Sequence, residues 1–388
     1  MKNREFIKGV CTGIAAVLVF TAGARLIHQD SVLSDRSHVK KLEYLEGMID
    51  RYYLEEKDEE KLAEGLYTGL LYGLGDPYSR YYTPEEYEEE NTATQGSYVG
   101  IGIVMQKNAE GGVLVVECYE GGPGDKAGLK AGDIISEVDG TDVTEMETAE
   151  VASMIKESKK EQVALSIHRE GVKDTIKLTV PIEDVELPSV FHEMMEDKKT
   201  GYIRITEFKG VTYEQYKRAF LELEEKGMEQ LVIDLRGNPG GLLTSACDIL
   251  NEILPEGLIV YTEDKYGNRQ EEKADGKHTL EIPLAVLVNE SSASASEIFA
   301  GAVQDHEVGV IVGTTTYGKG VVQSIQPLSD GSAVKLTISR YYTPKGHTIH
   351  EKGITPDVEV KLDHSLLNQS EISHEEDNQL QAALQALS

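Results

Sequence analysis

Residues 289–296 read Asn-Glu-Ser-Ser-Ala-Ser-Ala-Ser, between an apolar strand pattern at 284–289 and a helical pattern at 295–304. A small hydroxyl residue at such a junction is open to a ligand, and the first N–H groups and dipole of the helix stabilise negative charge beside it. The same serines are also good helix caps. Lys319 follows in Tyr317-Gly318-Lys319-Gly320, after the apolar strand pattern at 308–312. Burial in a tight glycine turn lowers a lysine pKa, and a neutral lysine is a general base toward a serine hydroxyl. Serine activated by lysine is an established alternative to the Ser-His-Asp arrangement.

Other readings of these segments are weaker. Gly313-Thr314-Thr315-Thr316-Tyr317-Gly318-Lys319 follows a phosphate-binding loop until Gly320 stands where the magnesium hydroxyl is needed. His192-Glu193 lacks the second histidine of a zinc helix, since Met194-Met195-Glu196 follow. His306, beside Asp305, reads as a surface histidine, because adjacent residues at a helix end point apart. Gly237-Asn238-Pro239-Gly240-Gly241 is a strand-to-helix turn whose N–H groups suit an oxyanion, although a tight turn alone asks for the same glycines.

The elements that position these residues fall into blocks. Helical spacing runs through Leu42, Leu45, Met48 and Ile49, then Leu62, Leu66, Leu70 and Leu71, and Gly75-Asp76-Pro77 breaks it. Thr83-Pro84-Glu85-Glu86 predicts a capped helix start. Residues 96–183 change to short β runs with one helix near 147–156. From Gly201 strands and helices alternate, which predicts an α/β domain with a substantially parallel sheet and a site where strands end and helices begin. The divisions expected are a leader at 1–30, a helical segment at 31–95, a β module at 96–183, an α/β core at 184–362 and a tail at 363–388. The helical stretch at 379–387 in that tail suits packing or a dimer contact.

The chain has 388 residues, enough for two or three domains, and 38 Lys plus Arg against 68 Asp plus Glu give it a net charge of −30. That charge excludes nucleic acid as a partner. The acidic runs at 55–60 and 85–90 read as solvated helix faces. Cys11, Cys118 and Cys247 are too scattered for a cystine framework. Lys2, Arg4 and Lys8 precede the apolar run 9–24, the layout of an export signal, so the rest of the chain is expected outside the cytoplasm. The run is short against the roughly 17 to 25 residues of a spanning helix, and Ala22-Gly23-Ala24 suits a signal peptidase. Secretion and retention as a membrane anchor both remain open.

Together the segments resemble the C-terminal processing proteases, also called tail-specific proteases, from about Leu42 to Val360. The motifs that carry the resemblance are Gly73-Leu74-Gly75-Asp76-Pro77-Tyr78-Ser79-Arg80-Tyr81-Tyr82, Leu235-Arg236-Gly237-Asn238-Pro239-Gly240-Gly241, Ser292-Ala293-Ser294-Ala295-Ser296-Glu297, Tyr317-Gly318-Lys319-Gly320-Val321-Val322-Gln323 and Ser339-Arg340-Tyr341-Tyr342-Thr343-Pro344. The resemblance implies a serine endopeptidase with Ser294 as nucleophile, Lys319 as base and Gln323 orienting the lysine. It implies oxyanion donors at the N–H groups of Ala295 and Gly240, with Gly241 still open, and supporting or capping roles for Ser292 and Ser296. No metal or organic cofactor is implied.

The β module looks like a PDZ domain. Gly100-Ile101-Gly102-Ile103 corresponds to its carboxylate-binding loop, and Lys126-Ala127-Gly128-Leu129-Lys130-Ala131-Gly132-Asp133-Ile134-Ile135 to the protease-associated form. Such a loop binds a terminal carboxylate through successive N–H groups, and the adjoining strand edge adds the peptide. The partners implied are exported proteins or peptides with free C-termini. Related proteases also use the module to gate the site, with Arg169 a relay candidate, and a homodimer is compatible with the family. Sporulation signalling and envelope protein turnover both fit.

Overall fold

The structure, a computed structural model, describes residues 31–388 apart from 110, 120, 157, 159, 198, 368, 370, 371 and 388. The expected leader lies outside the described residues.

Two acidic caps start the first helices. Asp35 accepts the Ser37 N–H at 2.8 Å ahead of α1 (Arg36–Tyr52). Asp58 accepts the Glu60 and Lys61 N–H groups at 3.1 Å ahead of α2 (Glu59–Tyr72). Both helices belong to a unit ending at Gly73, and neither buries a residue. Of the residues of the helical spacing, Leu42, Leu45, Met48, Leu62, Leu66 and Leu70 are exposed, and Ile49 and Leu71 are half-buried.

The larger unit, Leu74–Ser388, opens with β1 (Arg80–Tyr82) and α3 (Pro84–Gln95). The expected capping box is present: Glu86 N–H reaches Thr83 Oγ1 at 3.2 Å, and Thr83 N–H reaches Glu86 Oε2 at 3.1 Å. The acidic run after it is not wholly solvated, because Glu90 is partly buried against Lys335 at 2.7 Å.

The β module comprises β2 (Ser97–Gly100), β3 (Ile103–Lys107), β4 (Val113–Cys118), α4 (Pro123–Lys126), β5 (Ile134–Val138), β6 (Thr141–Asp142), α5 (Thr148–Lys156), β7 (Gln162–His168), β8 (Ile176–Pro181) and β9 (Glu183–Glu186). Its antiparallel sheet runs β3-β4-β5-β7-β8, with β6 on β5. Val113, Val115, Ile135, Val163 and Ile167 alternate inward, and α5 closes this core with Val151 and Ile155. The first and last strands, β2 and β9, pair only with each other. The module therefore enters and leaves at one place.

The remaining elements are β10 (Val190–Met194), β11 (Thr200–Ile205), α6 (Thr212–Glu225), β12 (Gln230–Asp234), α7 (Leu243–Asn251), β13 (Gly257–Asp264), β14 (Arg269–Ala274), β15 (Leu284–Val288), α8 (Ala295–His306), β16 (Val310–Gly313), β17 (Val321–Pro327), β18 (Ala333–Tyr342), β19 (Val358–Glu359) and α9 (Asn378–Ala386). The main sheet, β10-β11-β12-β15-β16-β19, is parallel from β11 to β19. Every residue of β15 is buried, which accounts for its unbroken apolar sequence. A second, antiparallel sheet, β1-β18-β13-β14 with β17 on β18, is absent from the sequence reading. Its strands alternate incompletely and carry charges, as Arg269–Ala274 does.

The tail helix is a packing element: Leu380 and Ala383 are buried against Val232, Leu287 and Val312. Its entry is tied by charge. The Arg236 guanidinium bonds Asp234 Oδ2 at 2.6 Å and Asp377 Oδ2 at 2.7 Å, with all three side chains largely buried. Burial raises the Asp377 pKa, but the Arg236 bonds and the Leu380 and Gln379 N–H groups outweigh it and hold the carboxyl below its ordinary range. Its stabilisation is therefore full above the unfolded-state pKa and is lost as pH falls through the lower folded value. Replacing Asp377 by Asn should cost about 1–3 kcal/mol, read as an earlier urea midpoint at neutral pH. The gap between variant and parent should close at acidic pH, and a gap independent of pH would contradict the ionic role.

Candidate active site

β15 and β16 are hydrogen-bonded neighbours with Val288 opposite Gly313. The chain thus leaves the sheet at two adjacent points on its C-terminal edge, where open α/β sheets carry their sites. From β15 it passes into α8 through Ser294, the residue before the first helical turn. From β16 it crosses to the antiparallel sheet through residues 314–320, which include Lys319. Topology brings the two residues together.

Ser294 has φ 55° and ψ −112°, a strained conformation for a residue with a Cβ, kept only where surroundings impose it. Glu297, fully buried, imposes it. Its Oε2 accepts the Ser294 N–H and the Lys319 N–H, each at 2.8 Å. Its Oε1 accepts the Gly318 N–H and the Thr316 hydroxyl, each at 2.6 Å. The Thr316 oxygen in turn accepts the Ile354 N–H at 2.7 Å, so its own proton points at Glu297. One carboxylate thus fixes the backbone at both Ser294 and Lys319. Burial pushes the Glu297 carboxyl above its ordinary range, and the Thr316, Gly318, Ser294 and Lys319 donors offset that only in part. Four donors and no acceptor leave a carboxylic proton nowhere to point, so the geometry fits the anion.

Capping does not consume the serine hydroxyl. Ser294 and Glu297 stand in capping-box register, but the Glu297 and Ile298 N–H groups go to the Ser294 carbonyl at 2.9 and 3.0 Å, and the Ser294 side chain closes no cap hydrogen bond. Its neighbours are ties to the glycine turn. Ser292 Oγ donates to the Leu235 carbonyl at 2.8 Å, and Ser296 Oγ donates to the Asn238 carbonyl at 3.1 Å. The Ala293 N–H reaches the same Asn238 carbonyl at 3.0 Å.

These bonds hold Gly240, with φ 105°, against Ser294. A Cβ on Gly240 would lie 2.8 Å from Ser294 Cβ and 3.0 Å from the Ala295 nitrogen, so only glycine leaves that space open. The Gly240 N–H itself is given to Asn238 Oδ1 at 2.8 Å. Among the hydrogen bonds of the described residues, the N–H groups of Ala295 and Gly241 have no acceptor.

Lys319 is half-buried, with its ammonium over the Tyr78 ring, 4.8 Å from the centroid. Burial lowers its pKa and the Lys335 charge pushes the same way. Glu297, Glu90 and Asp76 oppose them, and the net shift is downward. Lys335 is held by Glu90 Oε1 at 2.7 Å and the Tyr82 hydroxyl at 3.2 Å. Asp76 sets the Tyr78 turn, accepting the Tyr78 N–H at 3.1 Å and the Ser79 hydroxyl at 2.6 Å. A cavity of about 790 Å³ opens beside Tyr78, Tyr317 and Gly318.

The other residues singled out in the sequence are placed as follows. Gln323 Nε2 donates to Thr337 Oγ1 at 3.2 Å and makes no hydrogen bond to Lys319. His306 is not a plain surface histidine: it is half-buried, with Nε2 2.7 Å from the Leu258 carbonyl, because β13 packs on the end of α8. It lies at the far end of α8 from Ser294, about 18 Å away by helical rise. Lys319 is followed by a strand rather than the helix a phosphate loop requires. Arg169 is paired through Nε and Nη2 with Asp133 at 2.7 Å. Gly100, Ile101, Gly102 and Ile103 are buried between β2 and β3, and β3 is an edge strand.

Glu297 ends the serine motif Ser292-Ala293-Ser294-Ala295-Ser296-Glu297 with no role evident from sequence alone. The Ser-x-x-Glu spacing of Ser294 and Glu297 was its signal, although here the glutamate also reaches a second loop. Glu297→Gln should cost about 2–4 kcal/mol by leaving buried N–H groups facing an amide. Amide exchange at Ser294, Gly318 and Lys319 should accelerate beyond that of the distant sheet. Uniform acceleration would mean that the carboxylate is an ordinary core group.

The model of peptidase family S41 matches residues 199–360, that of the PDZ domain residues 90–168, and that of the activating protease CtpB N-terminal domain residues 22–86. The carboxy-terminal processing protease CtpA of Bacillus subtilis (strain 168) is 35% identical over 349 residues, covering 90% of this chain and 74% of the relative. The carboxyl-terminal-processing protease of Synechocystis is 36% identical over 322 residues, covering 82% and 75%. A solved photosystem II D1 C-terminal processing protease aligns at TM-score 0.48 and 30% identity over 82% of this chain and 86% of that one. With such identity along most of both lengths, this chain belongs to the carboxy-terminal processing proteases of peptidase family S41, serine-type peptidases with a PDZ domain.

Proposed function

We propose that the chain cleaves exported proteins captured by their free C-termini, through an acyl-enzyme on Ser294 with Lys319 as base. The observation that carries this reading is the shared Glu297 carboxylate, which holds the backbones of Ser294 and Lys319 side by side. Neutral Lys319, turned from Tyr78 toward Ser294, takes the hydroxyl proton as Oγ attacks the peptide carbonyl. The proton passes to the leaving amine, and Lys319 then takes one from the water that releases the acyl group. The oxyanion lies between the Ala295 N–H and the glycine turn. The Gly241 N–H is its second donor unless the Gly240 N–H leaves Asn238. Gln323, two strand residues beyond Val321, orients the lysine once it turns.

Capture by C-terminus is supported by topology, since β3 offers a free sheet edge beside α5 and begins where the 100–103 loop ends. Action outside the cytoplasm, with an anchored or cleaved N-terminus, rests on Lys2, Arg4, Lys8 and the apolar run after them. A second copy is the partner that would cover the exposed leucines of α1 and α2.

Ser294→Ala and Lys319→Ala should each reduce peptide hydrolysis by about a thousandfold or more, and His306→Ala should leave it largely intact. Activity surviving in the Ser294 variant would end the reading. Because the base must be neutral, kcat/KM should rise with pH along an ionisation below that of an ordinary lysine. Lys335→Gln removes a repelling charge, so the Lys319 pKa should rise and the limb move to higher pH. A limb that stays in place would mean that it reports another group.

A further inference from the structure

The carboxylate loop is already in contact with a side chain of its own module. Tyr98, on β2, folds its ring back over Gly100, so closely that a Cβ there would lie 2.5 Å from Tyr98 Cε2. The Gly102 and Ile103 N–H groups lie near enough to the Tyr98 hydroxyl to pull its pKa down, although neither closes a hydrogen bond of ordinary length to it. Burial raises the Tyr98 pKa, so the phenol is neutral at working pH. A neutral oxygen thus sits where the loop would offer its N–H groups to an anion.

We infer that Tyr98 is an internal occupant of the carboxylate loop, and that a substrate C-terminus binds by displacing its hydroxyl. This rests on the reading of residues 100–103 as a carboxylate site. A terminal carboxylate is the stronger acceptor, because its bonds to the same N–H groups are charge-assisted. An interior carbonyl or a C-terminal amide gains no charge assistance from these N–H groups, so it docks along the β3 edge with the hydroxyl still in place. Tyr98 therefore sharpens the preference for a free C-terminus: it sets a threshold that only an anion crosses. Gly100 has no Cβ to keep the ring away, and the half-buried position of Tyr98 leaves it room to swing outward.

The test uses the full chain carrying Ser294→Ala, with a fluorescent peptide ending in an apolar free carboxylate and the same peptide as its amide. Tyr98→Phe keeps the ring and removes the competing oxygen. It should bind the free-acid peptide about three- to tenfold more tightly and leave the amide's affinity, and the thermal midpoint, nearly unchanged. If the parent prefers acid over amide but Tyr98→Phe binds the acid equally or more weakly, the occupant role is overturned and the carboxylate site stands. Equal binding of acid and amide by both proteins would overturn the loop's role and the inference with it.

Discussion

The site depends on one buried carboxylate. Glu297 lies on the first turn of the helix that Ser294 caps, yet three of its four hydrogen bonds come from a loop that leaves a different strand. Removing an ion from water is expensive unless every lone pair is met. Here four donors meet them, and three are backbone N–H groups that keep their protons. The stabilisation needed to bury the charge is therefore available only when the two loops are in register. That makes the alignment of Ser294 with Lys319 a condition of folding.

The remaining geometry extends from that point. Ser294 can hold φ 55° because its N–H and carbonyl are both engaged, which leaves its hydroxyl free of capping. Ser292, Ala293 and Ser296 carry the same alignment to the glycine turn through Leu235 and Asn238. Arg236, next in that turn, carries it to the tail through Asp377. The Lys319 amine lies among groups of both signs: Glu297, Glu90 and Asp76 favour its charge, while burial and Lys335 oppose it. The second pair wins, which suits the proposed role of a base that must be neutral.

The parallel core was legible because its strands are uniform apolar runs and its helices are amphipathic; β15 and α8 fall within two residues of their expected bounds. The serine, the lysine and the glycine turn were legible because each stands at a strand end and is flanked by small residues. The antiparallel sheet was not, since strands such as Arg269–Ala274 gain their order from neighbours rather than from their own pattern. Tyr78 beneath Lys319 carried no local signal either, for its position is set by Asp76 and by a bond from the Thr337 N–H to Ser79 Oγ. His306 was misplaced for the same reason: its partner, the Leu258 carbonyl, lies on a strand distant in sequence. Local pattern shows which residues can act, and long-range hydrogen bonds decide which ones meet.

The central claim is that Ser294 becomes acylated with Lys319 as its base. Intact-mass spectrometry of the enzyme mixed with an activated ester substrate and quenched within the first turnover tests this directly. The account predicts a single acyl adduct, mapped to Ser294 by peptide fragmentation and absent from the Lys319→Ala protein over the same interval. An adduct on another residue, or an equally fast Ser294 adduct without Lys319, would contradict it.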